Sequence, residues 1–220
     1  MSRLGTFTFE GPAGAIEALH KPGSSHPVRA AVLSHPHPSF GGTMHNKVVF
    51  RAAKAFERLG YPSLRFNFRG VGRSGGAFGD GVGEADDVRA ALDWMAREHA
   101  GLQLAHCGFS FGNSVGTPVA ATDSRVDRLV CLGTPTNSFR FERLAEVAIP
   151  KLFVQGEHDE HGPLEALCEG LERVAEPRRL VVVQGADHFF AGHLEEMEDA
   201  IVDYLSSLEE EPDSAADPST

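Results

Sequence analysis

At 220 residues and a net charge of −11, the chain is long enough for one substantial core and too acidic to grip nucleic-acid phosphates. Its 41 % hydrophobic and 23 % charged residues are ordinary for a soluble globular protein, and an anionic membrane surface would repel it. No run of about 18 apolar residues could cross a bilayer, and Met1 to Glu10 lacks the apolar segment of a secretory signal, so cytoplasmic residence is expected.

The chain opens on two β-like runs, Thr6–Glu10 and Ala15–His20, around Gly11-Pro12-Ala13-Gly14, which predicts an antiparallel hairpin. Five runs then read as buried strands: Arg29–Leu33, Ser63–Phe68, Leu102–Gly108, Leu129–Leu132 and Lys151–Gln155. A sixth, Leu180–Gln184, is so continuously apolar that cover on both faces is expected. Helical patterns alternate with them. Lys47–Leu59 sets Val48, Ala52, Ala55, Phe56 and Leu59 on one face, with Gly60 and Pro62 as stops. Glu84–His99, Pro163–Val174 and Leu194–Leu208 follow, with a short helix at Phe141–Val147. This rhythm predicts an α/β fold with a mostly parallel sheet flanked by helices. One domain over residues 1–208 is expected, and the acidic, proline-containing tail 209–220 is expected to be disordered.

Gly108-Phe109-Ser110-Phe111-Gly112 matches G-x-S-x-G between a β-like run and a helical one, Asn113–Ala121. That is the setting of a nucleophile elbow, a turn so tight that the serine is strained and the flanking positions need glycine. A serine hydroxyl needs a base to take its proton and a carboxylate to orient that base. Both follow in the expected order, each just past a strand: Asp159 in Gly156-Glu157-His158-Asp159, then His188 in Gly185-Ala186-Asp187-His188. Glu157 is a rival acid. Asp187 is less suited, since neighbouring side chains diverge.

An acyl-transfer oxyanion needs preorganised donors. The first expected is the Phe111 amide, and the second comes from the loop His35-Pro36-His37-Pro38. Proline has no N–H, which leaves His37. His-x-His is also a ligand pattern, with Glu157, His158, Asp159 and His161 elsewhere to extend it, but the serine chemistry accounts for the loop without a metal, and none is expected. Gly70-Val71-Gly72-Arg73-Ser74-Gly75 satisfies G-x-G-x-x-G, yet further glycines delay its helix to about Glu84, so a dinucleotide site is not expected. It reads as a flexible loop beside the site. Cys107, Cys131 and Cys168 form no C-x-x-C pair and read as reduced thiols.

Taken together, the HPHP loop with Gly41-Gly42-Thr43-Met44, Arg69-Gly70-Val71-Gly72-Arg73-Ser74, the elbow, and the acid and histidine loops resemble the α/β-hydrolase superfamily. The likeness is to small, dienelactone-hydrolase-like bacterial enzymes without a large cap. It implies an eight-stranded, mostly parallel sheet and two-step, cofactor-free ester hydrolysis of a small-molecule acyl ester. Those relatives use serine; dienelactone hydrolases proper use a cysteine nucleophile where this chain has Ser110, which sets dienelactone itself aside as substrate. Thioester or amide hydrolysis, or non-catalytic binding on the same fold, remain alternatives. Between Gly133 and Ile149 only a loop and one short helix fit, so an open site is expected. Phe40, Phe139, Phe189 and Phe190 are candidates for an apolar pocket, with Phe40 and Phe189 foremost as substrate-binding residues.

Overall fold

The computed structural model describes residues 5–210. Eight strands form one sheet. In chain order they are β1 (Phe7–Gly11), β2 (Gly14–Lys21), β3 (Arg29–Ser34), β4 (Ser63–Phe66), β5 (Gln103–Phe109), β6 (Val126–Leu132), β7 (Lys151–Gly156) and β8 (Arg178–Val183). Their spatial order is β1-β2-β4-β3-β5-β6-β7-β8. β1 and β2 pair antiparallel and β2 joins β4 antiparallel, while every later pairing is parallel. The expected architecture is present, N-terminal hairpin included.

Five α-helices cover the sheet: α1 (Lys47–Arg58), α2 (Val82–Glu98), α3 (Phe111–Ala120), α4 (Leu164–Leu171) and α5 (Leu194–Glu210). Alternation along each strand feeds two cores. In β3, Ala30 and Val32 join the layer with Leu92, Met95 and Phe153, whereas Ala31 and Leu33 join the layer with Phe56, Leu152 and Ile201. Helix α1 starts where the Asn46 side chain accepts the Val48 amide, and it buries Val48, Val49, Ala52, Ala55 and Phe56. No helix among the described residues is long and apolar enough to cross a membrane.

Several boundaries differ from the sequence reading. β6 begins at Val126, because parallel pairing with β5 takes in Val126 and Arg128, with Asp127 as a bulge between them. α3 begins directly after Ser110, α2 begins at Val82, and the short Phe141 helix is a single 3-10 turn, Phe141–Leu144. Helix α4 ends at Leu171, short of Val174. β8 lies at the sheet margin with most of its residues only half-buried, so its apolar run is not covered on both faces. Helix α5 passes Leu208 to Glu210, since the Glu209 carboxylate is held by Arg29 and Tyr61. The expected disordered tail otherwise falls on residues 211–220, outside the described residues.

From β3 the chain moves to β4 on one side and then to β5 on the other. In a parallel sheet such a reversal opens a crevice beyond the carboxyl ends of the strands. The loops after β3 and β5 border that crevice.

Candidate active site

Ser110 sits at the N-cap of α3 with φ 54° and ψ −118°, a conformation that L-residues hold only when their surroundings enforce it. Its neighbours show the constraint. A Cβ at Gly108 would lie 2.4 Å from the Asn113 Cα, and one at Gly112 would lie 2.4 Å from the Ser34 carbonyl oxygen. Neither contact could relax without moving backbone, which is why both positions are glycine.

The three side chains singled out in the sequence meet. His188 Nε2 lies 3.0 Å from Ser110 Oγ, and His188 Nδ1 lies 2.8 Å from Asp159 Oδ2. Asp159 and His188 are only 3 % and 4 % exposed. The Asp159 carboxylate accepts three further hydrogen bonds: Gln155 Nε2 at 2.7 Å on Oδ2, and the His161 and Gly162 amides at 2.8 and 3.1 Å on Oδ1. Four donors around one buried carboxyl suit the ionised, acceptor-only form. Gln155, which no sequence pattern flagged, has its amide orientation fixed in turn, because its Oε1 accepts the Thr134 amide at 2.8 Å. The imidazole is also held by rings, with centroids of Phe109, Phe189 and His161 at 5.1, 5.2 and 4.6 Å.

The rival acids are occupied elsewhere. Glu157 accepts the Gly185 amide at 2.8 Å, and Asp187 accepts the amides of Phe189 and Ala191. Neither is on His188. The Cys107 thiol is buried in β5 and burial pushes its pKa well up, so it is inert.

On the β3 side, the buried His35 uses both ring nitrogens. Nε2 accepts the Phe68 amide at 3.0 Å, which requires the proton on Nδ1, and Nδ1 donates to the Pro36 carbonyl at 2.6 Å. Burial holds the ring neutral, with its pKa down at about 4. The Pro36 carbonyl and the His37 N–H belong to one trans peptide, so they point in opposite directions. Anchoring the carbonyl on His35 therefore directs the His37 N–H away from it. Neither the His37 nor the Phe111 amide finds an acceptor among the described residues. The His37 ring packs among Phe40, Phe78 and Phe111, at 4.8, 4.9 and 4.7 Å, away from His35. Among the described residues no cluster of three His, Cys, Asp or Glu side chains is arranged to hold a metal.

The glycine-rich loop after β4 is tied down rather than flexible. Arg69 is paired with Asp87, and the Glu17 carboxylate takes hydrogen bonds from Asn67 and from both the amide and the guanidinium of Arg73. Glu84 folds back onto the amides of Gly79 and Gly81, occupying the start of α2 that a pyrophosphate would need.

A pocket of about 590 Å³ opens over Ser110. Phe40 and Phe189, 87 % and 51 % exposed, both line it, while Phe139 and Phe190 are buried in the two cores. Asn137 and Ser138 also form its walls, from the loop expected beside the open site between Gly133 and Ile149; His161 lines it too, as a wall residue rather than a metal ligand, while Phe78 and Asp80 sit in the glycine-rich loop with no motif that marks them as pocket residues.

Residues 29–201 match the model of a family described as an alpha/beta hydrolase domain. An uncharacterized protein of Rickettsia prowazekii is 35 % identical over 91 % of this chain and 88 % of its own length. An alpha-beta serine hydrolase homologue from Coxiella burnetii superposes with a TM-score of 0.86 at 37 % identity, covering 93 % of this chain and 98 % of that one. A lidless α/β serine hydrolase from Xanthomonas campestris gives 0.84 at 32 % identity, with 93 % and 94 % covered.

Proposed function

The chain belongs to the alpha/beta hydrolase family, and from that premise we propose that it is a carboxylesterase-type serine hydrolase with Ser110, His188 and Asp159 as its triad. His188 Nε2 takes the Ser110 proton as Oγ bonds to the acyl carbon, and the carbonyl electron pair moves onto oxygen. The amides of Phe111 and His37 receive that oxyanion. As the tetrahedral centre collapses, the bond to the leaving alcohol breaks and His188 returns the proton to the departing oxygen. Water then repeats the sequence on the acyl-enzyme, releasing the acid and the free serine. Asp159 stays ionised throughout and fixes the imidazole so that Nε2 faces the serine. No cofactor enters the cycle.

One observation carries this reading: the unbroken path from Ser110 Oγ through both His188 nitrogens to a buried carboxylate, with links of 3.0 and 2.8 Å. The pocket walls support a neutral small-molecule ester over an acyl-CoA thioester. They bear Asp80 and no lysine or arginine to meet phosphates.

A fluorophosphonate probe together with p-nitrophenyl butyrate tests the proposal. The wild-type chain should be labelled covalently and release nitrophenolate, and Ser110→Ala should lose both. A correctly folded wild type that neither labels nor turns over would leave a binding protein as the better reading.

A further inference from the structure

Phe189 has a cavity on each side of it. One is the pocket over Ser110. The other, about 480 Å³, lies at the amino ends of α1 and α5, where Val48, Ala191, Gly192 and Leu194 line it. Asn46 and Phe189 line both, so the two spaces adjoin at these two side chains. Lys47 stands exposed at the second cavity, where its stem adds apolar surface while the ammonium stays in water.

The segment presenting Phe189 is built to hold it there. Asp187 Oδ1 accepts the amides of Phe189 and Ala191, at 2.9 and 3.0 Å, and the Asp187 carbonyl accepts the Phe190 amide at 3.1 Å. Phe190 has φ 53°, a conformation rare for an aromatic residue, and its ring is fully buried against α1 and α5. Of two successive phenylalanines, one is thus an anchor and the other is turned out to form a partition. The Phe189 ring stands edge-on to Phe109 and His188, at 5.8 and 5.2 Å.

Its position has chemical meaning. The leaving-group oxygen must lie within reach of His188 Nε2 to receive a proton, so the alcohol portion of an ester occupies the His188 side of the reacting carbon. Phe189 follows His188 directly, and the second cavity opens beyond it. We infer that this second cavity binds the far end of an extended apolar leaving group, with Phe189 as the divider the chain bends around. The assignment rests on the serine-esterase reading and names the substrate class that reading leaves open: esters of medium to long alcohols.

Two ester series test it. In alkyl butyrates, from ethyl to dodecyl, only the alcohol changes and every member forms the same butyryl-enzyme, so chain effects appear in kcat/KM. In p-nitrophenyl alkanoates, from acetate to dodecanoate, only the acyl group changes. Ala191→Trp, which fills the second cavity from an exposed position, should lower the dodecyl-to-ethyl ratio of kcat/KM on the order of tenfold, the loss of burial of about two methylenes. The acyl-series ratio should hold. Phe189→Ala, which removes the divider, should raise the dodecyl-to-ethyl ratio, and it serves if the tryptophan variant does not fold. An unchanged alcohol-series ratio in both variants, or a change confined to the acyl series, overturns the assignment. Failure of the esterase reading itself looks different, because wild type would then leave even ethyl butyrate intact and take no fluorophosphonate.

Discussion

Replacing Asp159 by asparagine keeps the shape of the side chain and removes one acceptor, and the surrounding donors determine the consequence. With its single oxygen turned to the His161 and Gly162 amides, the new NH₂ faces His188 Nδ1 and the Gln155 amide. The opposite orientation sets NH₂ against two backbone N–H groups that cannot reverse, at a cost of about 1–3 kcal/mol for each donor left unsatisfied. The first orientation therefore wins, and it requires Nδ1 of His188 to accept. The ring proton moves to Nε2, which then donates toward Ser110 instead of taking its proton. In a serine triad this tautomer error lowers kcat about ten-thousandfold, or about 5 kcal/mol of barrier at roughly 1.4 kcal/mol per decade. Gln155 cannot relieve the clash by rotating, because its oxygen is committed to the Thr134 amide. Steady-state hydrolysis of p-nitrophenyl butyrate by Asp159→Asn, beside Glu157→Gln as a control expected within about threefold of wild type, measures the effect. Activity of Asp159→Asn within tenfold of wild type, or a larger loss in Glu157→Gln, would refute the assignment of the acid.

Three further outcomes are expected. His35→Ala should lower kcat ten- to a hundredfold with little change in KM, since a freed Pro36–His37 peptide costs transition-state hydrogen bonding rather than substrate binding; equal losses in kcat and in thermal stability alone, without that split, would make His35 merely structural. Asp80→Asn should raise kcat/KM for a monosuccinate ester several-fold relative to its neutral counterpart, because Asp80 puts a carboxylate on the pocket wall. Burial holds His35 near pKa 4 and His106 near 3, against 6.5 unperturbed. Both are depressed, so the unfolded chain binds more protons below pH 6.5, and stability present above that value is lost as pH falls toward 4 and 3. Urea unfolding across this range should show a shallower acid loss in His106→Gln than in wild type, and parallel curves would contradict it.

Much of this was legible in the sequence where short-range rules operate. The strand–turn–helix frame around Ser110 needs its two glycines for local steric reasons, and the acid and histidine follow strands in an order the parallel sheet imposes. What escaped was whatever depends on neighbours far along the chain. The run Leu180–Val183 is as apolar as an interior strand, and only the strand order places it at the margin. Gln155 reads as the polar end of a strand until Thr134 and Asp159 are seen on either side of it. The same is true of His35. Its sequence neighbours suggested a ligand or an oxyanion loop, but its partner is the Phe68 amide 33 residues away. The sequence reading favours Phe189 over Phe190 for the pocket, and the positive φ at Phe190 is the backbone device that turns the two rings apart.

The grip of Arg29 and Tyr61 on Glu209 fastens the last turn of α5 beneath the amino ends of the strands, at the pole opposite the mouth above Ser110. A tether joined at Glu210 would consequently start from the rear of the molecule. An enzyme coupled to a bead or fused to a carrier at that end should keep its entrance facing the solution, whereas trimming the chain to a point before Glu209 would unfasten the helix that closes the lower face.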